Sequence, residues 1–241
     1  MYLKAEWAQP FDPDQTVPAA FTTLDGREVP VPTMREVGRQ DVVRARGDGW
    51  QATELAYLGG NGLAAPLAMD LILPDDLTAF EKSLSPKVLS SVWSGIAAEQ
   101  RRNLVITETG SDPSCDTFPY QVKLFLPKFG IETRANLEEL LAAMGMHDAM
   151  SSTAADFGGI TTADRLYIGS VIHQANIDVD ESGTTASAAT VVGGDTTGGC
   201  GPAVGRSTVT MRFDRPFLFV LRDLQTNAVL FMGRVTDPTA R

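Results

Sequence analysis

The stretch VIHQANIDVDESGTTASAAT, from Val171 to Thr190, changes character halfway along. Its first half continues LYIGS, so that Leu166 to Val179 reads as one long strand. Its second half opens a segment, Gly183 to Gly205, rich in Thr, Ala, Gly and Ser. Such a composition ordinarily makes a flexible linker. The C-terminal remainder is too short for a further domain, and strong strands flank both sides, so the segment reads as a long exposed loop. Beyond it, Phe217 to Leu221 and Val229 to Val235 are two apolar strands joined by a turn around Gln225 to Asn227. Their continuous apolarity predicts burial on both faces.

The upstream sequence is also strand-dominated. Asp41 to Arg46 and Ala52 to Leu58 flank Gly47-Asp48-Gly49, a hairpin signal. Leu67 to Leu73 (LAMDLIL) is stopped by Pro74, and Tyr120 to Leu126 (YQVKLFL) alternates before Pro127. Helices are fewer. In Asn136 to Met144, residues Leu137, Leu140, Leu141 and Met144 fall at helical spacing, with Asn136 as N-cap and Gly145 as the stop. Asp76 to Lys82 and Pro86 to Trp93 are shorter helical candidates. The class is α+β.

The 241 residues suffice for one large domain or two small ones. A net charge of -10 argues against nucleic acid or an acidic membrane surface as partner, since both demand a basic patch. Arg101-Arg102, the densest basic spot, reads as a solvated loop. No run of about 18 apolar residues spans a membrane. Met1 to Trp7 (MYLKAEW) is no signal peptide, because charges interrupt it. Cys115 and Cys200 stand far apart without a CxxC or His/Cys cluster, so no metal or cofactor is implied. A disulfide between them and two free thiols both stay open.

No enzyme motif stands up. Gly47 to Ala52 matches GxGxxA, but a strand follows where the dinucleotide fingerprint needs a helix. No GxSxG, HExxH or phosphate loop occurs. His147 and His173 lie in different elements, and the pairs Asp75-Asp76 and Glu138-Glu139 are explained by solvated faces.

Several ordered blocks resemble the serpin family. Tyr2 to Pro13 (YLKAEWAQPFDP) looks like that family's third strand of the main sheet and the turn after it, with Trp7 at the upper end. Leu71 to Pro74 (LILP) resembles the buried strand before a helical pair. Leu126 to Glu132 (LPKFGIE), Leu137 to Asp148, Ala155 to Ile160 (ADFGGI) and Val171 to Gly183 come next, in order. Pro216 to Pro238 (PFLFVLRDLQTNAVLFMGRVTDP) resembles the closing hairpin. The resemblance covers essentially the whole chain. It implies a partial serpin fold, with a large mixed β-sheet A, sheets B and C, few helices and a long exposed reactive-centre loop at 182–210. It implies a single domain over 1–241, truncated at its N-terminus. A chain lacking that portion is expected to fold poorly alone and not to inhibit, whereas its full-length parent would.

The resemblance also implies a mechanism. A serine protease cleaves the loop, which inserts as a strand in sheet A and traps the acyl-linked enzyme. Insertion demands small, uncharged residues and no proline. The hinge is Glu181, Gly183, Thr184, Thr185, Ala186, Ser187, Ala188, Ala189 and Thr190, and its residues after Glu181 meet that demand. Period-2 alternation turns Thr184, Ala186, Ala188, Thr190, Val192 and Gly194 toward the core, none of them charged. Gly183 is the pivot. Trp7, Lys128 and His173 match the region where the sheet opens: Lys128 pairs with Glu181, and His173 stands at the centre of the sheet. The plainer reading of His173 is a buried, hydrogen-bonded histidine on the same strand.

The family's usual spacing, counted from Glu181, implies Thr197-Gly198 as the scissile bond. Spacing back from Pro216-Phe217 gives Gly205-Arg206 or Arg206-Ser207, so the loop carries an insertion resembling Gly193 to Gly201 (GGDTTGGCG). Arg206-Ser207 is favoured, because trypsin-like proteases place a carboxylate opposite arginine. The expected partner is a trypsin-like serine protease, with a subtilisin-like one second. No cofactor, nucleic acid or membrane enters, and the complete protein is monomeric. An extracellular setting is favoured over a cytoplasmic one. The competing readings are a non-inhibitory serpin-fold carrier or chaperone, and a non-functional fragment.

Overall fold

The computed structural model describes residues 4–37, 42–59, 64–109, 120–161, 163–184 and 207–240. Along the chain run strands β1 (Ala5–Glu6), β2 (Val17–Thr22), β3 (Glu28–Val37), β4 (Ala45–Gly47), β5 (Trp50–Leu58) and β6 (Ala64–Pro74). Helices α1 (Leu77–Ser83) and α2 (Pro86–Thr109) follow, then β7 (Tyr120–Pro127) and β8 (Phe129–Asn136). Short helices α3 (Glu138–Ala143) and α4 (His147–Met150) lead to β9 (Ile172–Val179) and β10 (Gly183–Thr184). The chain closes with β11 (Ser207–Arg212), β12 (Phe217–Asp223) and β13 (Val229–Val235). Three sheets result, of order β1-β10-β9-β8, β11-β7-β3-β2 and β13-β12-β6-β5-β4. The α+β class with dominant strands is as the sequence predicts. Contacts group the chain into a unit of Ile131–Ile177 and a larger one of Lys4–Gly130 with Asp178–Arg241.

The five-stranded sheet belongs to the larger unit. Gly47 pairs with Trp50, leaving Asp48-Gly49 as a two-residue turn with Gly49 at φ 72°. That is the hairpin the glycines predict. On one face, Val92 and Ile96 of α2 join Leu77 and Phe80 of α1 against Ala45, Ala52, Ile72, Leu218 and Val220. Asp76 caps α1 by accepting from the Ala79 N–H at 2.9 Å. Helix α2 runs far past Trp93, where the sequence reading ended it. Gly95 lets the helix pack closely, a Cβ there lying 3.5 Å from Ala45 and Trp50. Arg101-Arg102 therefore sits on a helix and not in a loop. The strands of the closing hairpin differ from each other. Strand β12 is buried almost throughout, but β13 lies at the sheet edge with Val229, Leu230 and Met232 exposed, so its apolarity did not mean two-sided burial.

One charged cluster lies inside this sheet. Glu54 and Asp70 face each other directly across β5 and β6. Arg222 bridges them, with Nε 2.7 Å from Asp70 and Nη2 2.5 Å from Glu54. All three side chains are buried. Gln100 donates to Glu54 from α2 at 2.9 Å. Burial pushes the Asp70 carboxyl up to about 7 against the pull of Arg222.

The smaller unit shows two departures. Strand β9 starts at Ile172, not Leu166. The preceding backbone is committed elsewhere: the Ile168 N–H donates to Ala149 and the Val171 carbonyl accepts from Leu137. Helix α3 starts two residues past Asn136, whose side chain accepts from the Glu138 N–H at 3.1 Å. Gly145 (φ 103°) ends it, and Leu140 and Met144 of its apolar stripe are exposed. Cys115 and Cys200 lie outside the described residues.

Removing the Arg222 guanidinium leaves the buried Glu54 and Asp70 carboxyl groups without the cation they share. Arg222→Ala should destabilise by about 3–5 kcal/mol, read from urea unfolding. Because the folded state keeps a proton on Asp70 that the unfolded chain loses near pH 4, stability should fall as pH rises from about 4 to about 7. Asp70→Asn should flatten that slope; an unchanged slope would place its origin elsewhere.

Candidate functional site

The segment predicted as the hinge begins at a tight turn. The Asp180 side chain accepts from the N–H groups of Ser182 and Gly183, and the Asp180 N–H donates to the Gly183 carbonyl at 3.0 Å. This self-bonding is what aspartate does in turns. Gly183 has φ 153°, and a Cβ on it would run into the Ala5 carbonyl oxygen. Only glycine fits both the dihedral and the approach. The turn delivers Thr184 between β1 and β9, where it pairs with Ala5 on one side and Val179 on the other.

Thr184 is fully buried, and its hydroxyl shares a 2.6 Å hydrogen bond with the Tyr57 phenol. Burial pushes that phenol's pKa up, only partly offset by Thr184. Trp7 stacks on Tyr57 with centroids 4.6 Å apart and planes at 17°. Its indole N–H donates to the Asp180 carbonyl at 2.9 Å, and its backbone N–H to Ser182 at 2.9 Å. The indole thus holds the turn from beneath.

Glu181 is held at both oxygens. Lys128 Nζ lies 2.7 Å from Oε2, and the Thr16 hydroxyl donates to Oε1 at 2.7 Å. Partial burial pushes the carboxyl up, but the Lys128 and Thr16 bonds together outweigh it and hold the group below its ordinary value. The Glu181 carbonyl also accepts from the Phe11 N–H at 2.8 Å.

The structure therefore brings Trp7, Lys128, Glu181, Gly183 and Thr184 into one cluster. His173 stands on β9 with its side chain exposed and belongs to the smaller unit, so the reading of a buried, hydrogen-bonded histidine does not hold. Thr185, Ala186, Ser187, Ala188, Ala189, Thr190, Thr197, Gly198 and Arg206 lie outside the described residues. Ser207 opens β11, which runs parallel to β7. Of the segment 182–210, then, Gly183–Thr184 and residues 207–210 are strand. Sequence reasoning missed Tyr57, Thr16 and Asp180. Tyr57 and Thr184 are 127 residues apart, a separation no periodicity encodes. Among the described residues no group of three His, Cys, Asp or Glu could hold a metal, and no helix is long and apolar enough to cross a membrane.

Residues 1–238 match the family model for serpin (serine protease inhibitor). A serpin-like protein of Methanosarcina acetivorans is 32% identical over 99% of this chain and 49% of its own length. A serine protease inhibitor of Cyanea capillata is 30% identical over 100% of the chain and 56% of its own. The crystal structure of human glycosylated kallistatin is similar with a TM-score of 0.73 at 27% identity, covering 100% of this chain and 55% of that one. The chain spans about half the length of the curated relatives it matches.

Gly183→Ala should cost about 1–3 kcal/mol through strain and clash, measured by chemical denaturation. Lys128→Met should cost at most about 1 kcal/mol at neutral pH, since Lys128 is more than a third exposed. Glu181's depressed value makes its contribution complete above about pH 4.5, and it fades as pH falls through the lowered value. The Lys128→Met deficit should shrink over the same range; a deficit independent of pH would rule out the ion pair as its source.

Proposed function

The chain belongs to the serpin family, and from that premise we propose that its full-length protein inhibits a serine protease as a suicide substrate. The loop within 182–210 is the bait, cleaved at Arg206-Ser207 by a trypsin-like enzyme, with Thr197-Gly198 as the other candidate bond. Cleavage frees the segment after Thr184 to extend β10 between β1 and β9, carrying the acyl-linked protease with it. The protein works as a monomer outside the cell, without a cofactor.

One observation carries this reading. Two residues of the hinge already stand as a strand in that position, with Thr184 turned inward and fully buried. Continuing the alternation places Ala186, Ala188 and Thr190 on the same inward face, and small uncharged side chains are what a core-facing strand accepts. Lys128, Thr16 and Tyr57 fix the start of the insertion, so the loop extends from a defined register. The Gly193–Gly201 stretch favours a second reading, a serpin-fold carrier without inhibition, because added length lets the protease travel with slack.

Full-length protein mixed with trypsin should give an adduct that survives boiling in detergent, its cleaved bond mapping to Arg206-Ser207 by mass spectrometry. Thr184→Arg, which puts a charge on the inward face, should keep cleavage but lose the adduct, turning the inhibitor into a substrate. Cleavage without adduct in the unsubstituted protein would hand the lead to the non-inhibitory reading.

A further inference from the structure

The sheet β11-β7-β3-β2 carries an unusual arrangement of charge on one face. Arg35 of β3 pairs directly with Phe125 of β7, and Phe125 pairs directly with Arg212 of β11. Lys123, two residues before Phe125, shares its side of β7. The three cations gather around the one ring, with Arg212 Cζ 3.8 Å, Arg35 Cζ 5.2 Å and Lys123 Nζ 5.5 Å from its centroid. Phe125 is only 6% exposed beneath them, whereas Arg212 is exposed and the other two are half-buried. The opposite face, with Met34, Leu124, Leu126 and Met211, is fully buried core.

Among the described residues no carboxylate lies in ion-pair range of any of the three. In a chain of net charge -10, three cations converging on one ring with no counter-charge among the described residues form a local concentration of positive charge. Stacking on Phe125 holds them in place and does not neutralise them.

Position adds the second part. Strand β11 begins at Ser207, immediately after the segment proposed as the protease's bait. Thr208, Thr210 and Arg212 share its exposed side, so this face runs from the loop's end to the cation row. At roughly 3.3 Å per residue, Arg212 lies about 17 Å along the strand from Ser207. A protease of roughly 220 residues has a radius of gyration of about 17 Å, so one engaged at Arg206-Ser207 overhangs the row.

The geometry points to a docking surface: Arg35, Lys123 and Arg212 around Phe125 receive an acidic patch beside the active-site cleft of the serine protease that attacks the loop. This rests on the loop being that protease's substrate, and it names the charge by which the enzyme is chosen. Charges at the rim of an encounter act chiefly on association rate and its salt dependence.

The test compares full-length protein with the triple variant R35E/K123E/R212E and with the milder R35Q/K123Q/R212Q, thermal midpoints checking that each is folded. The rate constant for loop cleavage is measured with anionic and cationic trypsin over a range of ionic strength. Charge reversal should slow anionic trypsin about tenfold at low salt, the neutral variant less, with the curves converging as salt screens the contact. The share of events ending in adduct should not change. Equal rates for all three proteins at every salt concentration would overturn the proposal. So would loss of retention on dextran sulfate with cleavage rates unaltered, which would assign the face to a polyanion. If the unsubstituted protein is cleaved without forming an adduct, inhibition fails while the rate comparison still decides the docking surface. If neither trypsin cleaves it, both fall.

Discussion

A strand can be slotted between two others only if its first residue tolerates the backbone already there, and Gly183 against the Ala5 carbonyl is that point of contact in this protein. Because no Cβ intervenes, the chain turns at Asp180, passes beside β1 and presents Thr184 to ladders on both sides. Everything around the turn supports this approach: Trp7 beneath it, Tyr57 on the Thr184 hydroxyl, and Lys128 with Thr16 on Glu181. The cluster costs backbone freedom at one glycine and offsets it through hydrogen bonds, of which Tyr57–Thr184 is buried and those of Trp7, Thr16 and Lys128 are partly exposed.

The charged groups fall into three regimes that differ in magnitude. Arg222 between Glu54 and Asp70 is fully desolvated, so losing one partner matters far more than the pair's net worth. Lys128 with Glu181 is partly solvated and contributes little to stability, which leaves register as its principal effect. Arg35, Lys123 and Arg212 gather on a ring, with no carboxylate partner among the described residues. The same residue types therefore anchor a core, aim a hinge and offer a surface, according to what surrounds them.

These regimes give the turn at Asp180–Thr184 a fixed position on the sheets around it. The five-stranded sheet under α1 and α2 supplies the rigid part: β12 is buried almost throughout, and Phe217 and Phe219 both pack near Phe129 at the start of β8. The hinge is attached to that framework through Tyr57 of β5 and Lys128 between β7 and β8, so the position of β10 depends on the packing of distant strands.

Much of this was legible in the sequence. Glycine pairs announced the β4–β5 hairpin, and prolines ended β6 and β7, because each depends on local dihedral preference. The ordered blocks carried the resemblance to the family that the chain belongs to. Tertiary structure decided what local signals do not carry. Helix α2 continues past Gly95 because the sheet accepts the close approach there; β9 starts late because the preceding carbonyls and N–H groups are used by α3 and α4; β13 is exposed because it is an edge. The pairing of Tyr57 with Thr184, the burial of Arg222 between two carboxylates, and the meeting of Arg35 and Arg212 over Phe125 all join residues far apart in the chain. Side-chain chemistry at each position is written in the sequence, but which partners it meets is fixed only when strands from distant segments come into register.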